Sequence, residues 1–482
     1  MVTFVLSLVA LVIGYALYGK VVEKVFGPDD RVTPAVAKAD GVDYVVLPGW
    51  KVFMIQFLNI AGTGPIFGAI MGAKFGPAAY LWIVLGCIFA GATHDYLSGM
   101  LSMRNDGAGQ PELIGRYLGT TTKKVMLVFS VFLLMMVGAV FVYSPALILG
   151  KLCGDDLTWV YLWCGIIFLY YIIATMLPID KIIGRIYPLF AISMIFMAVA
   201  LMAVLFIKWP SLPELTDGLH GEGFTSPIFP ALFITIACGA ISGFHATQTP
   251  LMARCVKSEK MGRPMFYGAM ITEGLVALIW ATVSMYFFYG GAAQELGASL
   301  SLQAPEVVTT VSEGWLGTLG GILAMLGVVA APITSGDTAL RSARLIIAEF
   351  IHLEQRSIMK RIWICIPLFG LTFLLLYYNI ENPDGFNIIW SYFGWANQTL
   401  AVFMLWAITV YLVRERKPFW ITMIPAVFMT VVCSSFLMIS KNAFGFDMMV
   451  GYGVGGAALI ISLAWFFGWY RKEKCRNNNI NQ

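Results

Sequence analysis

Long apolar stretches alternate with short polar segments along the whole chain. Thirteen stretches are predicted to be membrane-spanning helices, and most contain at least 18 residues, nearly enough to cross about 30 Å at about 1.5 Å per residue. The predicted spans cover residues 2–19, 52–74, 78–102, 124–150, 158–178, 186–208, 228–250, 265–290, 317–347, 361–379, 385–412, 418–440 and 449–470. The pattern predicts an all-α polytopic membrane protein.

Two glycines, a threonine and a proline interrupt the second apolar stretch, which reads Ala61-Gly62-Thr63-Gly64-Pro65. Pro65 lacks an N–H and clashes with the preceding turn, and the glycines let the backbone leave the helix. Inside a membrane, unwound backbone is tolerated only where protein or a water-filled cavity satisfies it. We therefore predict that these five residues bind the substrate.

The turn after this break offers backbone donors to an anion. Because Pro65 suits the first position of a new helix, the N–H groups of Ile66, Phe67 and Gly68 are expected to face the break. A substrate carboxylate is predicted there. The alternative is a proline kink that binds nothing, which is common in membrane helices.

The seventh apolar stretch, residues 228–250, has a similar interruption. Gly239 and Gly243 lie near its middle, and Pro250 closes it. We predict that Ser242, Gly243 and Phe244 face the first break across the substrate.

Positive charge is distributed unevenly between alternate loops. Of the 31 Lys and Arg residues, 27 fall in one set of loops and 4 in the other. Because cytoplasmic loops carry the excess of basic residues, the N-terminus is predicted outside and the C-terminus in the cytoplasm.

The orientation of the two broken spans indicates an inverted repeat. Each opens a group of five spans, and the two groups have opposite orientation, as in a LeuT-type 5+5 transporter core. The predicted repeats are residues 52–208 and 228–412. Residues 1–51 supply an N-terminal helix and a cytoplasmic loop, and residues 413–482 supply two accessory helices and a cytoplasmic tail.

Composition narrows the possible partners. The chain is 59% hydrophobic and 12% charged, against about 25% charged residues in soluble domains. The basic residues are spread over many short loops, so no nucleic-acid partner is predicted. The eight cysteines show no paired spacing, and neither a disulfide framework nor a metal site is expected. A small-molecule substrate and membrane lipid are the predicted partners, with no cofactor and no prediction of oligomeric state.

Few ionisable residues lie inside the predicted spans, and such residues are candidates for function. Asp95, His245 and Glu273 are predicted to couple transport to protons, because a buried carboxyl or imidazole can hold a proton. For Asp95, a structural hydrogen bond is the alternative. Asp337 and Arg341 are four residues apart and are predicted to form a structural ion pair.

Several motifs resemble the carbon starvation protein A (CstA) family. They lie at Thr33 to Tyr44, Ala61 to Pro65, His94 to Tyr96, Arg104 to Gly107, Phe233 to His245 and Asp337 to Arg344. The chain is much shorter than the long family members and resembles their compact subtype. The resemblance implies a bacterial inner-membrane importer used when carbon is scarce, in a family linked to peptide uptake and to pyruvate–proton symport.

The coupling ion has two candidates. In LeuT-type transporters sodium commonly binds between the first broken helix and the eighth core helix, so Asn59, Thr334, Ser335 and Thr338 form a possible sodium site. Some proton-coupled relatives of that fold carry a lysine in the fifth core helix, but here that helix has no charged residue between positions 186 and 207. The family resemblance favours protons.

The sequence is thus interpreted as a secondary transporter importing a small carboxylate or short peptide, with protons as the favoured coupling ion. The alternatives are a sodium-coupled carboxylate or amino-acid symporter, a channel, a membrane enzyme and a starvation sensor. A channel usually needs a repeated ring of ligands, which we do not find. An enzyme is not indicated, because we find no nucleophile–base spacing. A sensor is not indicated either, because we find no cytoplasmic output domain.

Overall fold

The computed structural model describes residues 1–154, 156–177, 179–220, 224, 226–355, 357–382 and 385–480, and the regular structure of these residues is helical. The first ten helices are α1 Val2–Ala16, α2 Tyr18–Phe26, α3 Pro34–Ala37, α4 Gly49–Ala61, α5 Gly64–Gly72, α6 Ala78–Leu85, α7 Ala92–Arg104, α8 Gln110–Leu118, α9 Thr120–Cys153 and α10 Leu157–Met176. The rest are α11 Ile179–Lys208, α12 Ala231–Thr235, α13 Gly243–Ala253, α14 Ala269–Tyr289, α15 Ala292–Glu295, α16 Ala304–Phe350, α17 Ile358–Glu381, α18 Gly385–Arg414, α19 Trp420–Ile439 and α20 Met448–Ile480.

The described residues contain eleven continuous helical stretches that are long and apolar enough to cross a membrane. The pair α4 and α5, bent by 42°, makes a twelfth. The one remaining predicted span, the seventh at residues 228–250, corresponds to α12 and α13, which are separated by residues 236–242. The all-helical membrane fold is therefore confirmed. The two spans that the sequence predicts to be broken are the two that do not form continuous helices.

The first break is set by the backbone of Gly62. Its φ of 44° and ψ of −139° end α4. The next helix, α5, begins at Gly64, and Pro65 lies in its first turn. A Cβ on Gly62 would lie 2.9 Å from the ring of Phe141, so both the positive φ and the close approach require glycine.

The second break has the same origin. Gly239 has a φ of 92°, and a Cβ there would lie 2.4 Å from the Cβ of Ala277. The indole Nε1 of Trp82 donates to the carbonyl of Ile236 at 2.8 Å. A side chain from another span thus satisfies backbone that the helix no longer satisfies.

Helix α18 supplies the other partners of this unwound segment. The Oδ1 of Asn397 accepts from the Phe244 N–H at 2.5 Å and from the Ser242 hydroxyl at 3.0 Å. The Nε2 of Gln398 donates to the carbonyl of Phe233 at 2.8 Å. These two buried amides bond both sides of the break. Irregular backbone inside a membrane needs such partners from the protein.

Helix α16 is longer than the predicted span 317–347, because it begins at Ala304. Gly317, with φ 65° and ψ −174°, kinks it and separates the first part from the apolar remainder. The Gln303 and Glu306 side chains cap its N-terminus reciprocally. The boundaries of the two repeats, 52–208 and 228–412, remain a prediction.

A network of charges closes the face that the charge pattern predicts to be cytoplasmic. Its centre is Glu259, which is 1% exposed and accepts from Arg104 Nε at 3.1 Å and Nη2 at 3.0 Å. Its carboxylate also accepts from the backbone N–H of Asp29 at 3.1 Å. Hydrogen bonds from Arg31 hold the pKa of the Asp29 carboxyl below its usual value. The loop after α2 is thereby fixed to α7 and to the start of the eighth span.

We expect Glu259→Ala to lower the free energy of unfolding by about 3 kcal/mol, because Arg104 would keep a largely buried charge without its partner. Thermal unfolding of the detergent-solubilised protein measures the loss. Asp30→Ala is the control, since the Asp30–Lys260 pair, 2.6 Å long, is exposed and contributes about 0–1 kcal/mol. Equal Tm values for the two variants would contradict the central role of Glu259.

Candidate functional site

The two breaks, which the sequence predicts to face each other across the substrate, are in direct contact. A Cβ on Gly64 would lie 2.4 Å from both the Cβ and the Sγ of Cys238. A Cβ on Gly239 would lie 3.8 Å from the Cβ of Pro65. The unwound segments of the second and seventh spans therefore form one site.

All eight predicted substrate-binding residues are buried: Ala61, Gly62, Thr63, Gly64, Pro65, Ser242, Gly243 and Phe244. The N–H groups of Ile66 and Phe67 donate to the carbonyl of Thr63, at 3.2 and 2.8 Å. These two donors are engaged within the turn, in contrast to the prediction that they are free for an anion.

The second break presents less free surface than predicted. The N–H of Phe244 is bonded to Asn397, and a Cβ on Gly243 would lie 2.3 Å from the backbone nitrogen of Ala401. Gly243 is thus a packing residue against α18. Its small size allows the close approach that lets α18 cap the break.

Unpartnered polar side chains lie on α4 and at the first break, and of these the sequence analysis named Asn59 and Thr63 but missed Gln56. Gln56 and Asn59 are fully buried, and neither amide has a hydrogen-bond partner among the described protein atoms. The hydroxyl of Thr63 and the Oε1 of Gln248 share this property. Buried amides are nearly always hydrogen-bonded, so each of these groups can accept or donate to a polar ligand or ordered water. Their signal in the sequence is polar residues at positions 56, 59 and 63, on one face of an apolar helix.

A chain of buried acids and imidazoles connects three spans behind the breaks. The Nδ1 of His245 lies 2.8 Å from Oδ2 of Asp95, and its Nε2 lies 3.4 Å from Oε2 of Glu273. The other oxygen of Asp95 lies 2.8 Å from Nδ1 of His94. All four side chains are 0% exposed. The structure therefore brings together the three residues predicted to couple protons and adds His94.

This chain can respond to a single proton. His245 has a carboxylate near each ring nitrogen, so protonation of any member changes its attraction to the other two. The three groups lie on α7, α13 and α14. A change of charge on one group therefore alters the electrostatic attraction between these helices, directly after the second break.

Cys238 lies close to this chain. Its Sγ, one nitrogen of His245 and one oxygen of Glu273 lie within 4.8 Å of one another. These residue types ligate transition metals in other proteins. Here Asp95 and Glu273 already give His245 an acid–base partner at each nitrogen.

The possible sodium site also has the predicted neighbours. The hydroxyl of Ser335 donates to the carbonyl of Leu58 at 2.9 Å, one residue before Asn59. Thr334 and Thr338 donate to carbonyls of their own helix, so their oxygens keep lone pairs that can accept. Helix α16 thus meets the end of α4 where the sequence places this site.

The predicted Asp337–Arg341 ion pair is wrong in the described structure. Asp337 accepts from the Tyr187 hydroxyl at 2.6 Å. Arg341 instead donates to the carbonyls of Leu177 and Ala174, at 2.8 and 2.5 Å. The last carbonyls of a helix lack intrahelical partners, and the end of α10 therefore attracts the guanidinium.

Two contacting broken helices of opposite predicted orientation are the core of LeuT-type secondary transporters. The fold of this chain therefore supports the class of LeuT-type transporters. The structure is similar to a manganese transporter of Eremococcus coleocola, with a TM-score of 0.59 and 12% identity over 91% of this chain and 99% of the other. The chain belongs to the carbon starvation protein CstA family, which matches residues 1–154, 152–317 and 289–435.

Relatives are found across several bacteria. An uncharacterized membrane protein of Haemophilus influenzae is 46% identical over 339 residues, covering 60% of this chain and 91% of that protein. The peptide transporter CstA of Escherichia coli is 25% identical over 93% of this chain and 82% of its own length. The pyruvate/proton symporter BtsT of Escherichia coli is 25% identical over 88% of this chain and 78% of its own length.

We expect Gly64→Ala to destabilise the protein by about 1–3 kcal/mol and to impair transport, because the new methyl group overlaps Cys238. Combining it with Cys238→Gly should recover part of both losses, since the overlapping atoms are removed. Thermal unfolding and uptake into vesicles measure the two effects. The control is Gly165→Ala, where a Cβ meets nothing within 4 Å. Full activity and stability of Gly64→Ala would refute the close contact of the breaks.

Proposed function

We propose that the protein imports a small nutrient, pyruvate or a short peptide, across the bacterial inner membrane in symport with protons. The observation that carries the proposal is the buried chain Glu273–His245–Asp95, which joins the second broken span to two neighbouring spans. Two relatives, a peptide transporter and a pyruvate/proton symporter, support both the cargo and the ion. The family description supports a role in carbon starvation.

The mechanism follows from where His245 lies. It is the third residue of α13, directly after the unwound segment. A proton on Glu273 or His245 changes the attraction among α7, α13 and α14, and in a dry interior such changes are large. The proton thereby shifts the balance between arrangements of the broken spans. In this proposal no covalent bond of the substrate changes, so the protein is a carrier and not an enzyme.

The substrate is proposed to bind at Ala61 to Pro65, facing Ser242. Gln56, Asn59 and Gln248 add buried amides that can donate to and accept from a carboxylate or a peptide group. No lysine or arginine is among these residues, so recognition depends on neutral hydrogen bonds and the dipole of α5.

Sodium coupling is the second candidate. It is favoured by one observation, the contact of Ser335 with the carbonyl of Leu58. Hydroxyl and carbonyl oxygens are ligands suited to hard cations. A sodium ion there would join α4 to α16, whereas the proton chain joins α13 to α7 and α14.

The membrane orientation is also a proposal. It rests on the 27 of 31 basic residues in one set of loops. The N-terminus is then outside, the C-terminus is in the cytoplasm, and membrane lipid surrounds the apolar helices.

We expect Glu273→Gln to abolish accumulation driven by a pH gradient and to leave exchange of labelled substrate largely intact. The amide keeps the shape of the side chain but cannot release a proton. Uptake of labelled pyruvate and labelled dialanine into proteoliposomes, with pH and sodium gradients imposed separately, measures both reactions.

Glu295→Gln is the control, since Glu295 is an exposed partner of Lys208 in α15, beyond the end of α14. If Glu273→Gln still accumulates substrate, uptake follows sodium, and Ser335→Ala removes it, then the sodium site is correct and the proton assignment fails.

Reporter fusions test the orientation. Fusions after Arg414 and Lys472 should be cytoplasmic, and a fusion near Glu306 should be external. A fusion near Glu222, which lies outside the described residues, should also be external. A cytoplasmic reporter at Glu306 would overturn the inverted-repeat orientation.

A further inference from the structure

The predicted outer face carries few cations. The four basic residues in the loops predicted to be external are Lys74, Lys151, Lys208 and Lys441. Lys208 is bonded to Glu295 at 2.6 Å, and Lys151 lies 3.9 Å from Glu306. Lys74 and Lys441 have no ion pair among the described residues, and Lys74 lines a cavity.

This cavity has a volume of about 540 Å³. Lys74 is the cation in its wall, and Thr235, Ser301 and Ser391 supply hydroxyl groups. Trp390 and Tyr289 supply aromatic surface, and no acidic residue is among the described lining residues. The chemistry suits a ligand with one carboxylate, further hydrogen-bonding groups and apolar parts.

The position of the cavity connects it to the breaks. Ile70 on α5 and Thr235 on α12 line it, so the outer halves of both broken spans form its wall. The ring of Phe67, three residues before Ile70, lies 6.0 Å from the ring of Trp390. The cavity wall at Trp390 is therefore in contact with the first turns of α5, which follow the first break.

The opposite face is closed in the same structure. Glu259 and Arg104 fix the loop after α2, and Arg344 lies 3.7 Å from Asp43 of that loop. An opening on the predicted outer side together with ion pairs on the other is the arrangement that receives substrate from outside.

We propose that this cavity is an outer binding site for short peptides, with Lys74 contacting the terminal carboxylate. The inference rests on the proposed function and specifies its substrate class. Pockets of about 300–1,000 Å³ bury drug-sized ligands, and a cavity in this range is much larger than a three-carbon acid requires. Lys74 supplies a charge-assisted hydrogen bond, which is stronger than a neutral one.

The same geometry explains why the cation lies here and not at the breaks. A carboxylate held by neutral donors deep in the protein is free to leave, whereas a lysine beside it would retain it. An exposed lysine in the outer cavity raises the local concentration of anionic substrate and does not slow the release of substrate from the breaks.

Equilibrium binding of labelled dialanine to the detergent-solubilised full chain tests the site without any gradient. Lys74→Gln should raise the Kd about tenfold, the loss expected for one hydrogen bond to a charged group. Lys74→Arg should stay near the wild-type value, because it keeps the charge. Lys441→Gln is the matched control, an outer lysine outside the cavity, and should leave Kd unchanged.

A second measurement separates this inference from the proposed function. Uptake by Lys74→Gln should show a raised KM for dialanine at an unchanged maximal rate, because only the outer site is weakened. Wild-type protein that binds dialanine but accumulates neither dialanine nor pyruvate would refute the proposed function and leave the outer site standing. No dialanine binding by wild-type protein, or equal Kd values for Lys74→Gln and wild type, would overturn the outer site.

Discussion

The rest of the structure depends on how unwound backbone is satisfied inside a membrane. Asn397 and Gln398 of α18 bond both ends of the second break, and Trp82 bonds the carbonyl of Ile236 between them. Without these partners, each free backbone group in hydrocarbon would cost several kcal/mol. The capping side chains come from spans 3 and 11, so the break is stable only inside the assembled bundle. This explains why apolar spans carry buried amides that take no part in the proton chain.

His245 combines this structural constraint with chemistry. It is the third residue after the second break, and its neighbours Asp95 and Glu273 lie on other helices. Any movement of the break therefore changes distances within the acid–base chain, and any proton in the chain changes the forces on the break. Such reciprocity is what coupling between two sites means thermodynamically. The hydroxyls of α16, by contrast, meet α4 and would couple a cation to the first break.

Much of this arrangement could be predicted from the sequence, because its signals are local. Glycine and proline in apolar stretches identified both breaks, and ionisable residues in spans identified Asp95, His245 and Glu273. Partners that depend on packing could not be predicted. Arg341 donates to the carbonyls at the end of α10 and does not pair with Asp337, although the spacing of four residues favours that pair. The engaged N–H groups of Ile66 and Phe67 likewise follow from the tight turn at Thr63, which composition does not reveal.

Charge is placed differently on the two predicted faces of the protein. On the predicted cytoplasmic face, cations are tied to carboxylates, as Arg104 is to Glu259 and Arg344 is to Asp43. On the predicted outer face, Lys74 has no ion pair among the described residues, lies over the ring of Phe75 and lines a cavity. Between them, the breaks contain neutral amides and a buried chain in which imidazoles face carboxylates. In the proposed orientation, an anionic substrate would therefore reach Lys74 first, then the neutral amides, and then the ion pairs of the predicted cytoplasmic face.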